Sequence, residues 1–309
     1  MVDGASFILD IPPGTPAVWG EGSSVLWAEG EALMICGPPG VGKTTLMGQV
    51  LLALIGLRDS ALGLPVKTVD KVLYLAMDRP KQIARALART VTESDRETLT
   101  ERLMIWPGPP PQDLARNPDV LAELANEAKA DVVIIDSLKD AAIKLSEDEV
   151  GSGYNRARQT LLRDGVEIAE LHHTVKRSEP TLDSVYGSTW LTSGAGSVVM
   201  LTGNPGDPII GFQHLKQPAD TVGPWRLNHD QDAGAMTIEG EVNPLQLARE
   251  AGSDGVTAKD VASRIFETKA PDKNQIETAR RKLAKLTKDG QLTFAEGRRG
   301  GPPATWYSA

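Results

Sequence analysis

Residues 37–45 read GPPGVGKTT, and this stretch decides the fold. Its first eight residues match the phosphate-binding pattern G-x-x-x-x-G-K-[ST] at every fixed position. An apolar run at residues 32–35 precedes the motif and a helical pattern at residues 43–57 follows it, so the motif lies between a strand and a helix. Glycines let backbone N–H groups surround phosphate oxygens, and the helix N-terminus adds partial positive charge. The sequence therefore predicts a nucleotide site made of Gly37, Pro38, Pro39, Gly40, Val41, Gly42, Lys43, Thr44 and Thr45.

Apolar strands alternate with helical stretches from residue 32 to residue 215. Several strands are nearly continuous apolar runs, as expected for strands covered on both faces. The alternation predicts an α/β fold, a mostly parallel sheet flanked by helices. The predicted strands are residues 32–35, 72–76, 103–106, 132–135, 166–171, 197–201 and 209–215, and the predicted helices are residues 43–57, 81–90, 118–129 and 154–163.

Charge is distributed unevenly along the 309 residues. The chain carries a formal net charge of −8, yet the segment from residue 254 to the end holds eleven Lys/Arg against seven Asp/Glu. The single cysteine, Cys36, excludes an intrachain disulfide framework and a cysteine-based zinc site. No signal-peptide pattern and no run of roughly 18 apolar residues is present, so we expect an intracellular, cytoplasmic protein that does not interact with membranes.

Four segments are predicted from these patterns. Residues 1–30 form a lead-in with a short strand at residues 7–9, residues 31–230 form the catalytic core, and residues 231–254 form a linker. Residues 255–309 form a basic module with helices at residues 257–268 and 273–288, followed by strands at residues 292–295 and 305–307 around a Gly/Pro/Arg-rich tip. Two helices followed by a hairpin are the outline of a small winged-helix domain.

Two residues of this core are expected to bind Mg²⁺. Thr44, the last residue of the motif, offers a hydroxyl, and Asp136 ends the apolar run at residues 132–135. A carboxylate at the C-terminal end of a strand near the motif is where a metal-binding acid belongs in nucleotide hydrolases. Lys43 is expected to reach the β- and γ-phosphates of ATP.

Hydrolysis also requires a group that orients or deprotonates water. Asp78 follows the strand at residues 72–76 and is expected near the γ-phosphate, the alternative being an ordinary turn aspartate. His172 and His173 end the strand at residues 166–171. Three interpretations fit this pair: a structural pair, a metal site, or a sensor of the γ-phosphate. No third ligand for a metal is apparent, and we expect His173 to be the sensor.

Five segments together resemble the RecA-like hexameric P-loop ATPases, specifically the DnaB-like and the plasmid or phage RepA-like replicative helicases. The resemblance covers roughly residues 15–230. Its segments are GPPGVGKTT (37–45), YLAMD (74–78), VVIIDS (132–137), AELHHTVKR (169–177) and GFQHLKQPADTVGPWRL (211–227).

This resemblance implies a RecA-like core that hydrolyses ATP with Mg²⁺ as a DNA helicase, and an origin on a phage or plasmid. Asp78 stands where the family has its catalytic glutamate, and His173 falls on the family's sensor. Lys216 replaces the arginine finger that acts on a neighbouring subunit, so the chain is expected to form a homo-oligomer, a hexameric ring in that family. A contribution from Arg226 to the finger is the alternative.

DNA contacts in the resembled family come from two loops. The first corresponds to residues 138–153, with Lys139 and Lys144, and the second to residues 174–194, with Lys176 and Arg177; unremarkable surface loops are the alternative. In the C-terminal module a winged helix would place basic residues against DNA. The alternatives to DNA binding are a solvent-exposed basic helix and a wing that contacts protein. The predicted DNA-binding residues are Lys176, Arg177, Arg281, Lys285, Arg298 and Arg299.

Three functions fit these patterns. The first is a DNA-dependent ATPase and helicase that moves along single-stranded or forked DNA in replication. The second is a recombination ATPase that acts on branched DNA, and the third is an ATP-gated regulator whose winged helix binds a duplex. Stimulation of hydrolysis by single-stranded DNA would indicate the helicase. A preference for junctions would indicate the recombination ATPase, and selective duplex binding without ATP turnover would indicate the regulator.

Overall fold

The computed structural model describes residues 2–175, 180–240, 244–266, 268–288, 291–297 and 303–308. They form two compact units, Met1–Glu239 and Gly240–Ala309. Among the described residues, no helix is both long and apolar enough to pass through a membrane.

The first unit alternates strands and helices. Its helices are α1 (Gly4–Leu9), α2 (Lys43–Leu54), α3 (Pro80–Leu87), α4 (Arg96–Arg102), α5 (Val120–Ala128), α6 (Asp148–Arg163) and α7 (Thr189–Ser193). Its strands are β1 (Ala17–Glu21), β2 (Ser24–Ala28), β3 (Leu33–Gly37), β4 (Ser60–Ala61), β5 (Leu64–Pro65), β6 (Val72–Ala76), β7 (Leu103–Pro107), β8 (Val132–Asp136), β9 (Glu167–His173), β10 (Ser197–Thr202), β11 (Ile209–Lys216), β12 (Trp225–Asp230) and β13 (Ala235–Ile238).

Nine of these strands form one sheet in the order β13-β12-β11-β10-β3-β9-β8-β6-β7. The strands from β10 to β7 are parallel, and β11, β12 and β13 run antiparallel to their neighbours. The mostly parallel α/β sheet predicted from the apolar runs is therefore present. Strand β9 lies between β3, which leads into the phosphate-binding motif, and β8, which ends at Asp136.

Both faces of the sheet are covered, which explains why its central strands are apolar throughout. On one face, Ile35, Tyr74 and Ile134 pack with α2 and with the β1–β2 hairpin. On the other face, alternate residues such as Met34 and Val133 pack with α5 and α6.

The N-terminal 30 residues differ from the predicted lead-in. The predicted strand at residues 7–9 is wrong, because α1 forms there and its start is capped by the Asp3 side chain, which accepts from Ser6 N at 2.9 Å. Strands β1 and β2 form a hairpin that buries Trp19 and Trp27 completely in the core.

Two further predicted irregular regions contain regular structure. The first loop, predicted at residues 138–153, ends early because α6 begins at Asp148, where acidic residues of the first turn favour the helix N-terminus. The second loop, predicted at residues 174–194, contains α7, whose N-cap Ser188 accepts from Trp190 N. The region predicted as a linker, residues 231–254, contains β13 and a helix of the second unit.

The second unit has its own small core. It contains α8 (Pro244–Ala251), β14 (Val256–Thr257), α9 (Ala258–Ile265), α10 (Lys273–Lys288), β15 (Leu292–Ala295) and β16 (Thr305–Ser308), with strand order β14-β16-β15. Val261, Leu283 and Trp306 are buried between the helices and the sheet. The winged-helix assignment stays a prediction, because residues 298–302 between β15 and β16 lie outside the described residues.

Candidate functional site

The phosphate-binding motif joins β3 to α2 through a turn that requires glycine. Gly40 and Gly42 have positive φ angles of 76° and 99°, which residues with a side chain rarely adopt. A Cβ atom at Gly42 would also collide with the Met236 methyl group. Helix α2 begins directly after this turn, at Lys43, so its N-terminal N–H groups face the same cradle.

Lys43 is buried at the base of this cradle. Its ammonium donates to the backbone oxygens of Gly37 at 2.8 Å and Pro38 at 2.9 Å. Burial lowers the pKa of Lys43 to about 8, and the negative charge of Asp136 opposes that shift. The side chain is thus still a cation at neutral pH, held where a phosphate would replace the two carbonyl oxygens as its partner.

Asp136 ends β8 with its carboxylate fixed by two hydroxyl groups. Thr44 Oγ1 donates to Asp136 Oδ2 at 2.9 Å, and the buried Tyr74 hydroxyl donates to the same oxygen at 2.8 Å. Burial raises the pKa of Asp136, and these hydrogen bonds oppose the increase. A hydroxyl beside a carboxylate is an oxygen-rich pair of the kind Mg²⁺ prefers, so the residues present fit the ion.

Asp78 and His173 lie at the same edge of the sheet. Asp78 follows β6, and its Oδ2 atom is 3.3 Å from Lys139 Nζ and 3.5 Å from Arg79 Nε. His173 ends β9, with Nδ1 3.5 Å from Lys43 Nζ. Burial lowers the pKa of His173 to about 4, and the charge of Lys43 adds to the effect, so the ring is neutral at pH 7.

The structure brings five residues with predicted roles in catalysis or Mg²⁺ binding into one cleft of about 250 Å³. Because β9 lies between β3 and β8, His173 is placed between the lysine and the metal-binding acid. The five are Lys43, Thr44, Asp78, Asp136 and His173, and the cleft is also lined by Pro39, Gly40, Gly42, Thr45 and Ser137.

Sequence reasoning missed several residues of this cleft. Tyr74 does not line the cleft but donates to Asp136, and in the sequence it is only one residue of an apolar strand. The far wall contains Gln82 and Arg89 on or beside α3, and His229 and Gln231 at the end of β12, where Arg89 Nη1 donates to Gln231 O at 2.8 Å. No short motif marks any of these four positions. His229 and Gln231 also depend on strand β12, which is not among the predicted strands.

Lys216 lies apart from this cleft. Strand β11 runs antiparallel to β10 and pairs Lys216 with Val198, at the sheet edge opposite the one that carries the motif. The Lys216 ammonium donates to the carbonyl oxygens of Thr192 at 3.3 Å and Ser193 at 2.8 Å. Lys216 therefore does not serve its own subunit's cleft, and a role on a neighbouring subunit stays a prediction.

The chain that leaves β9 is anchored to the histidine pair. Tyr186 N donates to His173 O at 3.0 Å, and His172 Nε2 lies 2.6 Å from Tyr186 O. His172 is fully buried, and burial lowers its pKa to about 4, so Nε2 carries the proton and donates it to this carbonyl. The loop that starts at Thr174 consequently begins and returns at the end of β9, where the sensor is predicted.

A fully buried ion pair joins strand β9 to helix α6. Arg158 of α6 donates to Glu170 from Nε at 2.8 Å and from Nη2 at 2.7 Å. The Tyr154 hydroxyl donates to Glu170 at 2.7 Å, and Arg158 Nη1 donates to Leu191 O at 3.0 Å. Helices α6 and α7 are thereby fixed to the strand that ends in the histidines.

Most predicted DNA-binding residues cannot be placed. Lys176, Arg177, Arg298 and Arg299 lie outside the described residues, as does the side chain of Lys285. Arg281 is exposed on α10, 3.8 Å from Glu277. Of the first-loop lysines, Lys139 pairs with Asp78, and Lys144 pairs with Glu147 at 2.9 Å.

Comparison with known proteins agrees with this geometry. A family model described as an AAA domain matches residues 12–179. The solved structure of the "ATPase Domain of G40P" is similar with a TM-score of 0.50 and 14% sequence identity, over 68% of this chain and 85% of that chain. No curated protein matches. The RecA-like P-loop ATPase fold implied by the motifs is confirmed.

Proposed function

The chain belongs to the AAA domain family, and on this premise we propose that it is a DNA-dependent ATPase that forms a ring and moves along single-stranded DNA as a replicative helicase. The phosphate-binding motif and the family match support ATP binding and hydrolysis, and the proposal adds action on DNA and assembly into a ring.

The residues of the cleft divide the chemistry of hydrolysis among them. Lys43 binds the terminal phosphates, and Thr44 and Asp136 would hold Mg²⁺. When bound, that ion neutralises charge on the phosphate oxygens. Asp78 orients and deprotonates the attacking water, and the neutral His173 ring detects the γ-phosphate by hydrogen bonding.

One observation carries the proposal of DNA dependence: the second loop leaves β9 at Thr174 and returns to contact it at Tyr186. The backbone of Tyr186 forms two hydrogen bonds, accepting from the His172 ring and donating to the His173 carbonyl oxygen. A shift of the histidines on hydrolysis would therefore move the loop. The first loop is linked to the second, because Ser188 Oγ donates to Asp148 at 2.6 Å and Ser188 N to Leu145 O at 2.8 Å. Loops coupled in this way to a hydrolysis site are suited to passing ATP turnover to a bound strand.

The position of Lys216 supports assembly. An ammonium at the opposite sheet edge reaches a nucleotide only if a second copy places its motif there. In a closed ring each interface would contain one motif and one Lys216.

The decisive measurement is the ATPase rate with and without single-stranded DNA, on protein whose mass in solution is known. We expect an oligomer whose rate rises with single strands, and a Lys43→Ala variant that is inactive in both conditions. Hydrolysis that is indifferent to DNA overturns the proposal, and a preference for four-way junctions over forks favours a branched-DNA ATPase.

A further inference from the structure

Lys139 connects the first loop to the water-activating carboxylate. It lies in a short 3₁₀ turn, Leu138–Asp140, that follows β8, and its ammonium is 3.3 Å from Asp78 Oδ2 and 3.9 Å from Asp140. Arg79, beside the N-terminus of α3, is the second cation at Asp78. The carboxylate is thus held from the loop side by Lys139 and from the helix side by Arg79.

A general base needs a free lone pair directed at its water. An ammonium beside the carboxylate occupies an acceptor position that would otherwise be open to water. With Lys139 in place, Asp78 therefore has fewer lone pairs free to orient and deprotonate a water molecule.

The pair is open enough to exchange partners. The side chain of Lys139 is 38% exposed and that of Asp78 is 28% exposed, and ion pairs in contact with water are weak. Both residues line a cleft of about 520 Å³ that also reaches Lys144 and Tyr186, the loop side of the site. A phosphate that enters this cleft can compete for the Lys139 ammonium without unfolding the loop.

We propose that Lys139 is a positioning residue that restrains Asp78 in the absence of DNA and releases it when the phosphate backbone of single-stranded DNA binds the ammonium. This inference rests on the proposed DNA dependence of the ATPase. It adds to the contacts of the second loop an ion pair between Lys139, which follows β8, and Asp78, which follows β6. Lys144 is not part of it, because its ammonium pairs with Glu147.

Substitution of Lys139 tests the inference directly. In Lys139→Gln, the DNA-free kcat should rise about two- to fivefold, as expected from loss of a partly exposed ion pair. The KM for ATP should stay unchanged, and the stimulation by a single-stranded oligonucleotide should fall. Lys139→Ala should behave in the same way, and Lys139→Arg should restore the wild-type pattern.

Two controls isolate the pair. Lys67→Gln removes another exposed lysine, paired with Glu29 at 2.8 Å, and should change neither rate. Adding Asp78→Asn to Lys139→Gln should abolish the increase in DNA-free rate, because the increase acts through that carboxylate.

The possible failures are distinguishable. If wild-type hydrolysis ignores DNA, the proposed function is overturned, whatever the variant does. If DNA stimulates the wild type but Lys139→Gln retains its low DNA-free rate and its full stimulation, only the inference is overturned. A kcat that falls equally with and without DNA also overturns it, and indicates that Lys139 contacts the reacting phosphates.

Discussion

The Tyr74 hydroxyl donates a 2.8 Å hydrogen bond to Asp136 Oδ2, so a buried tyrosine of β6 fixes the predicted metal-binding carboxylate of β8. The two strands are neighbours in the sheet, with Ala76 opposite Asp136. A group two residues from the end of one strand thus orients the acid at the end of the next. Outer contacts of this kind set the direction in which a metal ligand points.

Removing this hydroxyl should weaken Mg²⁺ binding as well as lower the free energy of unfolding. In Tyr74→Phe we expect the free energy of unfolding to fall by about 1–2 kcal/mol. The Mg²⁺ concentration for half-maximal hydrolysis should rise by about tenfold. Tyr154→Phe is the matched control, because that buried hydroxyl donates to Glu170 instead and should cost stability without changing the Mg²⁺ requirement. Equal Mg²⁺ curves for the two variants would contradict the role of Tyr74.

Asp78 should be needed for hydrolysis but not for binding. We expect Asp78→Asn to lower kcat by about a hundredfold, as for loss of a general base, while a fluorescent ATP analogue binds as before. Asp78→Glu, which keeps the carboxylate on a longer side chain, should retain most of the activity. Loss of analogue binding in Asp78→Asn would show that the residue holds the nucleotide rather than the water.

Lys43 and Lys216 should complement each other across subunits. Lys43→Ala and Lys216→Ala are each expected to be inactive alone, the first through loss of ATP binding and the second with binding intact. When the two are mixed and allowed to reassemble, some interfaces combine an intact motif with an intact Lys216, so hydrolysis should reappear. A mixture as inactive as its components would indicate that Lys216 does not act in trans.

Acid should destabilise the protein through its buried histidines. Burial lowers the pKa of His172 from 6.5 to about 4, so the unfolded chain takes up this proton at higher pH than the folded chain. The stabilisation by the neutral ring is complete above about pH 6.5 and is lost as the pH falls towards 4. Burial lowers the pKa values of His173, His214 and His229 in the same direction.

Urea unfolding across this pH range tests the effect for one histidine. His172→Gln removes one of the four histidine rings, so its free energy of unfolding should fall less steeply with acid than that of the wild type. Parallel curves for the two proteins would show that His172 does not titrate between the folded and unfolded states as expected.

The parallel core and the phosphate-binding motif could be predicted because each has a local cause. Strands covered on both faces must be apolar throughout, and a tight phosphate cradle needs glycine where φ is positive. Asp78, Asp136 and His173 stand out as candidates because each lies at the end of such a strand or within two residues of it. The sequence pattern alone could not show that β9 separates β3 from β8, because strand order depends on contacts distant in the chain.

Other parts of the fold carried no comparable local signal. Strand β12 is only partly buried, so its residues lack a continuous apolar run, and His229 and Gln231 were missed with it. The apolar residues 7–9 suit a strand as well as a helix, and it is the Asp3 cap that selects the helix. The sequence around Tyr74 does not indicate that its hydroxyl orients Asp136, because the partner of a buried hydroxyl is known only from the structure.

Cys36 lies in β3 directly before the motif, fully buried, with its thiol donating to Val199 O. Burial raises the pKa of Cys36 to about 12, so almost no thiolate exists at neutral pH. Alkylating reagents should therefore leave the native molecule untouched and modify it only when β3 and β10 separate. The natural cysteine can remain in place while a second one, introduced on the surface, carries a fluorescent dye that reports from a single known position.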